Sequence, residues 1–265
     1  MILAWAALPF VAVFVLTLCA SDLFAQKEFD EAHEKIAAYW NERIPASSDP
    51  AKMAKVLKDF NELPGQLRPL IDSGILSYLN SSHAISPDEL TMKIARALAY
   101  PYMSVNSLAD ADGNVSVVPL PDQSGYGVAY DIATCASCTT SWVEIAARRD
   151  NHWVLTDDLD NPEKDNAVHL AWVGSKAEPL LALYGIHWGD AHNRLDVRLY
   201  SVKPGIKKVW SSTDLFVGEI VIQGSRMTLT DRTAARPPYQ IRHQVFEIKG
   251  RHVAAQKATL SSIQQ

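Results

Sequence analysis

Two cysteines stand three positions apart in DIATCASCTTSW, the stretch from Asp131 to Trp142: Cys135 and Cys138. That spacing serves three chemistries. A redox dithiol needs an accessible thiolate, ordinarily at a helix N-terminus where backbone N–H groups stabilise the charge. A tetrahedral zinc site needs two further sulfur or imidazole ligands, and no second CxxC exists, so His152 and His169 would have to be brought in by the fold. A structural disulfide needs only an oxidising compartment. The flanking residues favour this last reading: ATC and CTTSWVEI look like a turn between strands and lack the strand-to-helix context of a redox centre. A local clamp is therefore expected, though the strain of so short a ring would make it reducible. Thiol-disulfide exchange and metal binding remain the alternatives.

A second constellation is IHWGDAHNRLD, with His187, Asp190 and His192 as candidate metal ligands and Asp196 as a carboxylate able to orient an imidazole. Gly189-Asp190 is equally the turn chemistry of a hairpin, which needs no metal. The acidic run TDDLDNPEKDN offers oxygen ligands for calcium but lacks the ordered spacing and central glycine of an EF-hand loop, so a solvated loop is the ordinary reading. Ser124 in DQSGYG precedes a glycine without forming a G-x-S-x-G elbow, and neither a Walker segment nor H-E-x-x-H is present. No cofactor is expected.

The compartment follows from the first residues. An apolar run from Ile2 to Leu16 precedes small and polar residues, which reads as a signal peptide over 1–25 cut after Ala25 or Ala20. Leu23 or Leu18 would then lie three residues before the cut, and the leading segment has no Lys or Arg; an uncleaved membrane anchor is the alternative. Leu18 before Cys19 makes a lipoprotein signal a poor fit. Export would leave Cys135 and Cys138 as the cysteines of the mature chain, in a periplasmic or extracellular setting that favours their oxidation.

The elements that would carry these residues fall into two regions. Over 26–110 the pattern is helical. Phe29, His33, Ile36, Trp40 and Ile44 recur at steps of three and four, and Met53, Val56, Leu57 and Phe60 do so after an Asp49 cap. Pro64 is expected to interrupt this second helix, with a shorter one following around LRPLIDSGILSYLN. Ser86, Pro87 and Glu89 then spell a capping box ahead of Leu90, Ile94 and Leu98. Over 111–265 nine strand-like runs rich in branched and aromatic residues are separated by short polar turns. The expected fold class is α+β: an N-terminal helical region followed by an antiparallel β-rich sandwich, barrel or propeller-like domain. Helical crossovers have no room between the later strands, so a doubly wound α/β sheet is not expected.

The 265 residues are 48% hydrophobic with a formal charge of −5, enough material for one large core or two modest ones. Mixed charge without a basic stripe argues against nucleic acid as a partner. The tryptophans and tyrosines of the stranded region are read first as core, with a groove for an extracellular ligand as the functional alternative. The reading of the whole is an exported protein that binds a periplasmic or extracellular ligand or protein through its β-rich half, touching membrane only through targeting or an uncleaved anchor. A thiol-disulfide oxidoreductase or a hydrolase is the competing class.

Overall fold

The computed structural model describes residues 26–43, 49–81, 85–100, 105–108, 114–135, 138–156, 159, 166–188, 193–202 and 205–262. The chain divides into two compact units. One holds the described residues before Asp112 together with Ala147–Leu155, and the other holds Asp112–Ala146 and Thr156–Gln265.

Three helices are described in the first unit. Helix α1 covers 26–43 and buries Phe29, Ala32, Ile36 and Tyr39, a stripe at steps of three and four. The stripe corrects the sequence expectation at two positions, because His33 is exposed while Ala32 takes the inward place, and Trp40 is half-buried while Tyr39 is buried; Ile44 lies outside the described residues. Helix α2, Pro50–Ser81, starts on Asp49, whose Oδ1 accepts the N–H groups of Ala51 at 3.0 Å and Lys52 at 3.3 Å.

This helix does not stop at Pro64. It runs 32 residues through both Pro64 and Pro69, a second correction. Each proline removes one helical N–H, at a cost of about 3 kcal/mol in an isolated helix. The cost is offset by a continuous buried stripe on either side of them, Leu63, Leu67, Ile71, Ile75 and Leu79, each fully buried side chain contributing roughly 1.5–3 kcal/mol. Gly74 sits in this stripe because α1 comes too close for anything larger: a Cβ there would lie 2.7 Å from the Phe29 ring.

Helix α3, Pro87–Ala97, begins as the capping box predicts, with Glu89 N–H donating to Ser86 Oγ at 3.2 Å. The reciprocal arm is rerouted. Ser86 N–H donates to the Tyr78 hydroxyl at 3.2 Å, and that hydroxyl donates to Glu89 Oε2 at 3.1 Å, so a buried phenol ties the start of α3 to the end of α2. The outer end of a β-hairpin belongs to this unit too: Trp153 N–H donates to Asn80 Oδ1 at 3.0 Å.

Twelve strands are described, all in two sheets. The first has the order β1 (Val115–Pro119), β2 (Gly125–Cys135), β3 (Cys138–Arg149), β4 (His152–Thr156). The second is a meander in chain order, β5 (Asn166–Gly174), β6 (Pro179–Trp188), β7 (Asn193–Ser201), β8 (Lys207–Gln223), β9 (Arg226–Arg232), β10 (Gln240–Lys249) and β11 (His252–Ala255), with β12 (Thr259–Ser262) also paired to β10. The expected α+β arrangement, helices first and antiparallel sheets after, is the observed one, and it is sandwich-like.

Strand β8 makes the layers. Its first half pairs with β7 and its second with β9, and the β8–β9 register shifts between Phe216 and Glu219, across Val217, which has a positive φ of 48°. Gly218 follows because a Cβ there would fall 2.7 Å from Leu195 Cβ. Beyond this bulge the strand turns back over the first layer, bringing Gly224 O to Gly174 N–H at 2.8 Å. Val173, Leu180, Ala182, Val197, Leu199, Leu215, Met227, Leu229, Phe246 and Ile248 fill the space between the layers.

The open edge of β5 is closed by side chains of the other sheet. Its outward N–H groups at Val168 and Leu170 donate to Asp131 Oδ2 at 3.3 Å and Ser116 Oγ at 3.1 Å. Trp172 Nε1 adds a bond to Pro119 O at 2.7 Å. Gly127 permits this approach, since a Cβ there would already lie 3.1 Å from Leu170.

Candidate functional site

The residues singled out from sequence are distributed as follows. Cys135 ends β2 and Cys138 begins β3, and the two strands are neighbours in one sheet. Adjacent strands joined by two residues form an antiparallel hairpin, so the cysteines terminate facing strands, away from any helix start. Their side chains lie outside the described residues. His187 stands opposite Arg194 in the β6–β7 ladder, but its imidazole, and Asp190 and His192 altogether, also lie outside the described residues. Asp196 is nearly buried and pairs with Arg198 Nη2 at 3.2 Å. Among the described residues no three His, Cys, Asp or Glu side chains gather as a metal site.

Ser124 donates its hydroxyl to Asp122 Oδ1 at 2.6 Å, with its own N–H bonded to the same oxygen at 3.1 Å; this is a turn in which the serine is held by its neighbour. Of the calcium candidate, the carboxylates Asp157, Asp158, Asp160, Glu163 and Asp165 all lie outside the described residues, and Leu159 between them is buried. The aromatic residues are mostly core: Tyr130 stacks with Trp142 at 6.1 Å, Trp210 meets Phe246 edge-on at 4.9 Å, and Tyr200 is buried. His169 stacks on Tyr184 with centroids 5.2 Å apart, a cross-strand pair in the β5–β6 ladder.

A concave site is present elsewhere, in the helical unit. Helices α1 and α3 and the segment 105–106 enclose a cleft of about 410 Å³, within the range of small-ligand sites. Its apolar side is Phe29 and Ala97, both buried, with Ala99 and Val105 half-buried beside them. Its polar side carries Asp30 and His33 from α1, one turn apart, and Lys93 and Arg96 from α3, likewise one turn apart.

These polar groups differ in what they already hold. Asp30 Oδ1 accepts from Gln26 Nε2 at 2.7 Å. Lys93 is 3.7 Å from Glu89, 3.4 Å from Gln26 Oε1, and 5.8 Å from the Tyr78 ring. Arg96 spends only its Nε, donating to Val105 O at 3.3 Å, and makes no ion pair among the described residues. That one bond leaves both terminal nitrogens with their donors, the fork that matches a carboxylate.

No protein-family model, no curated protein and no solved structure matches the chain. The site is therefore read from its own chemistry. Sequence reasoning passed over Lys93 and Arg96 because charged residues beside a helical stripe ordinarily face water. The usable signal was the pairing of two such faces, Asp30–His33 and Lys93–Arg96, on helices that share a core.

Proposed function

We propose that the protein is an exported small-ligand-binding protein whose ligand seat is the cleft between α1 and α3. One observation carries this reading: the cleft joins an apolar wall to an exposed guanidinium with unspent donors, the combination that orients a ligand while removing its apolar surface from water. The seat belongs to the helical unit, whereas the sequence pointed to the β-rich half. Export is supported by the apolar run from Ile2 to Leu16, and an oxidising compartment suits a disulfide between Cys135 and Cys138 at the end of their hairpin.

The experiment has two readouts on the full chain expressed in an exporting host. Intact mass of the product gives a chain beginning at Gln26 or Ser21, with Cys135 and Cys138 refractory to alkylation until reduced. Titration with the fluorescent apolar probe 1-anilinonaphthalene-8-sulfonate gives saturable binding that Val105→Trp, filling the cleft from its half-buried rim, abolishes. A chain retained in the cytoplasm with free thiols overturns the export reading, and probe binding indifferent to Val105→Trp overturns the cleft.

A further inference from the structure

We infer that the cleft selects a small monoanionic amphiphile: an organic carboxylate whose apolar tail lies against Phe29 and Val105 while its head is held by Arg96. The inference rests on the ligand-binding reading and narrows it to one chemical class. Three features of the site lead there.

The first is the state of Arg96. Its Nε bond to Val105 O engages one edge of the guanidinium, and its terminal nitrogens have no acceptor among the described residues. A planar two-oxygen acceptor fits that fork; a single hydroxyl or an ammonium group does not. Lys93 adds positive potential from the next turn, but Glu89 and Gln26 already engage its ammonium, so it supports the head without gripping it.

The second is Asp30. Its carboxylate lines the same cleft from the opposing helix. One negative charge on the ligand is balanced by Arg96 and Lys93, whereas a second would face the Asp30 carboxylate on the opposing helix. A dianionic phosphate monoester is therefore disfavoured against a carboxylate of the same tail. The third is the wall itself, where Phe29, Ala97 and Val105 offer no hydrogen-bonding side chain, so what lies against them must be apolar.

The test uses four probes sharing one eight-carbon tail: octanoate, octyl phosphate, octylammonium and octanol, each titrated calorimetrically into the processed protein and into Arg96→Gln. The expected order is octanoate first, then octyl phosphate, with octanol and octylammonium weakest. Arg96→Gln weakens octanoate by about tenfold or more, the loss of one charge-assisted bidentate contact, and leaves octanol unchanged. Arg96 is exposed, so the variant folds, and an unchanged melting temperature without ligand verifies it.

Octanol binding as tightly as octanoate, or octanoate indifferent to Arg96→Gln, overturns the carboxylate inference while leaving a cleft that binds apolar ligands. Octyl phosphate binding more tightly than octanoate overturns the choice of a monoanion. Failure of all four probes together with failure of the fluorescent probe overturns the ligand-binding reading beneath it.

Discussion

The two units of this protein treat their polar side chains in opposite ways. In the stranded unit the buried polar groups are committed to holding backbone and neighbours: Asp131 and Ser116 cap the edge of β5, Asp231 takes Arg242 through two bonds of 2.8 and 2.6 Å, and Asp196 takes Arg198. The Arg242–Asp231 pair raises the guanidinium above its usual pKa through the hydrogen bond to Asp231, so the charge is held at every ordinary pH. In the helical unit the buried Tyr78 hydroxyl is likewise committed, to Ser86 and Glu89, but the charged groups of α1 and α3 gather at a concave surface where Arg96 keeps donors to spare. A side chain with capacity left over beside apolar surface marks a binding site better than a side chain whose chemistry is merely suggestive.

The sharpest way to break the comparison is at Asp131. Asp131→Ala strands the buried Val168 N–H and reopens the β5 edge, and we expect a loss of about 3 kcal/mol of unfolding free energy in urea, with aggregation through the exposed edge. Retention of full stability would remove the claim that the polar residues of this unit are structural. Next in size are the two close-packed glycines. Gly218→Ala drives a Cβ into Leu195 at the β8 bulge, and Gly74→Ala drives one into Phe29; each should cost roughly 1–3 kcal/mol. They separate in a second readout, because Gly74→Ala displaces a wall of the cleft and weakens ligand binding, whereas Gly218→Ala lowers stability alone.

A smaller effect of opposite sign is expected at Pro69, which is exposed within α2. Pro69→Ala restores a helical N–H and should raise stability by about 1 kcal/mol, the gain being reduced by the greater freedom of the unfolded chain. Destabilisation would mean that the proline is needed to shape the helix. The smallest change is Ser124→Ala. Its hydroxyl serves only a turn, so stability should move by less than about 0.5 kcal/mol, and a hydrolysis assay with an ester such as p-nitrophenyl acetate should show no difference from the unaltered chain.

Much of the architecture was legible because it rests on local signals. The Ser86–Pro87–Glu89 start of α3, the Asp49 cap of α2, and the Asp150-Asn151 hairpin, whose two residues both take positive φ, each follow from chemistry within a few positions. The continuity of α2 was not legible, because Pro64 and Pro69 are local breakers overruled by burial against α1 and α3, a tertiary effect. Strand β1 was hidden by Pro119 and Pro121; it tolerates Pro119 because it is an edge strand and the proline is its last residue. The course of β8 through Val217 and Gly218 as one bent strand depended on a close approach to Leu195 that no periodicity encodes.

The site was the least legible part. Motif spacing drew attention to Cys135, Cys138, His187, Asp190 and His192, residues defined by their type. The cleft is defined by juxtaposition: Asp30 and Arg96 are ordinary helix-surface residues until α1 and α3 pack side by side. The sequence carries the polar pairs Asp30–His33 and Lys93–Arg96 at one-turn spacing, but only the packing of the two helices brings them to one cleft.

The division of labour between the units is tested most directly by amide hydrogen exchange with and without saturating octanoate. The account predicts slowed exchange confined to 26–36, 90–100 and 105–106, the described parts of α1, α3 and the following segment around the cleft, with the strands from 166 to 201 unchanged. Protection confined to those strands, or absent from the helices, would contradict it.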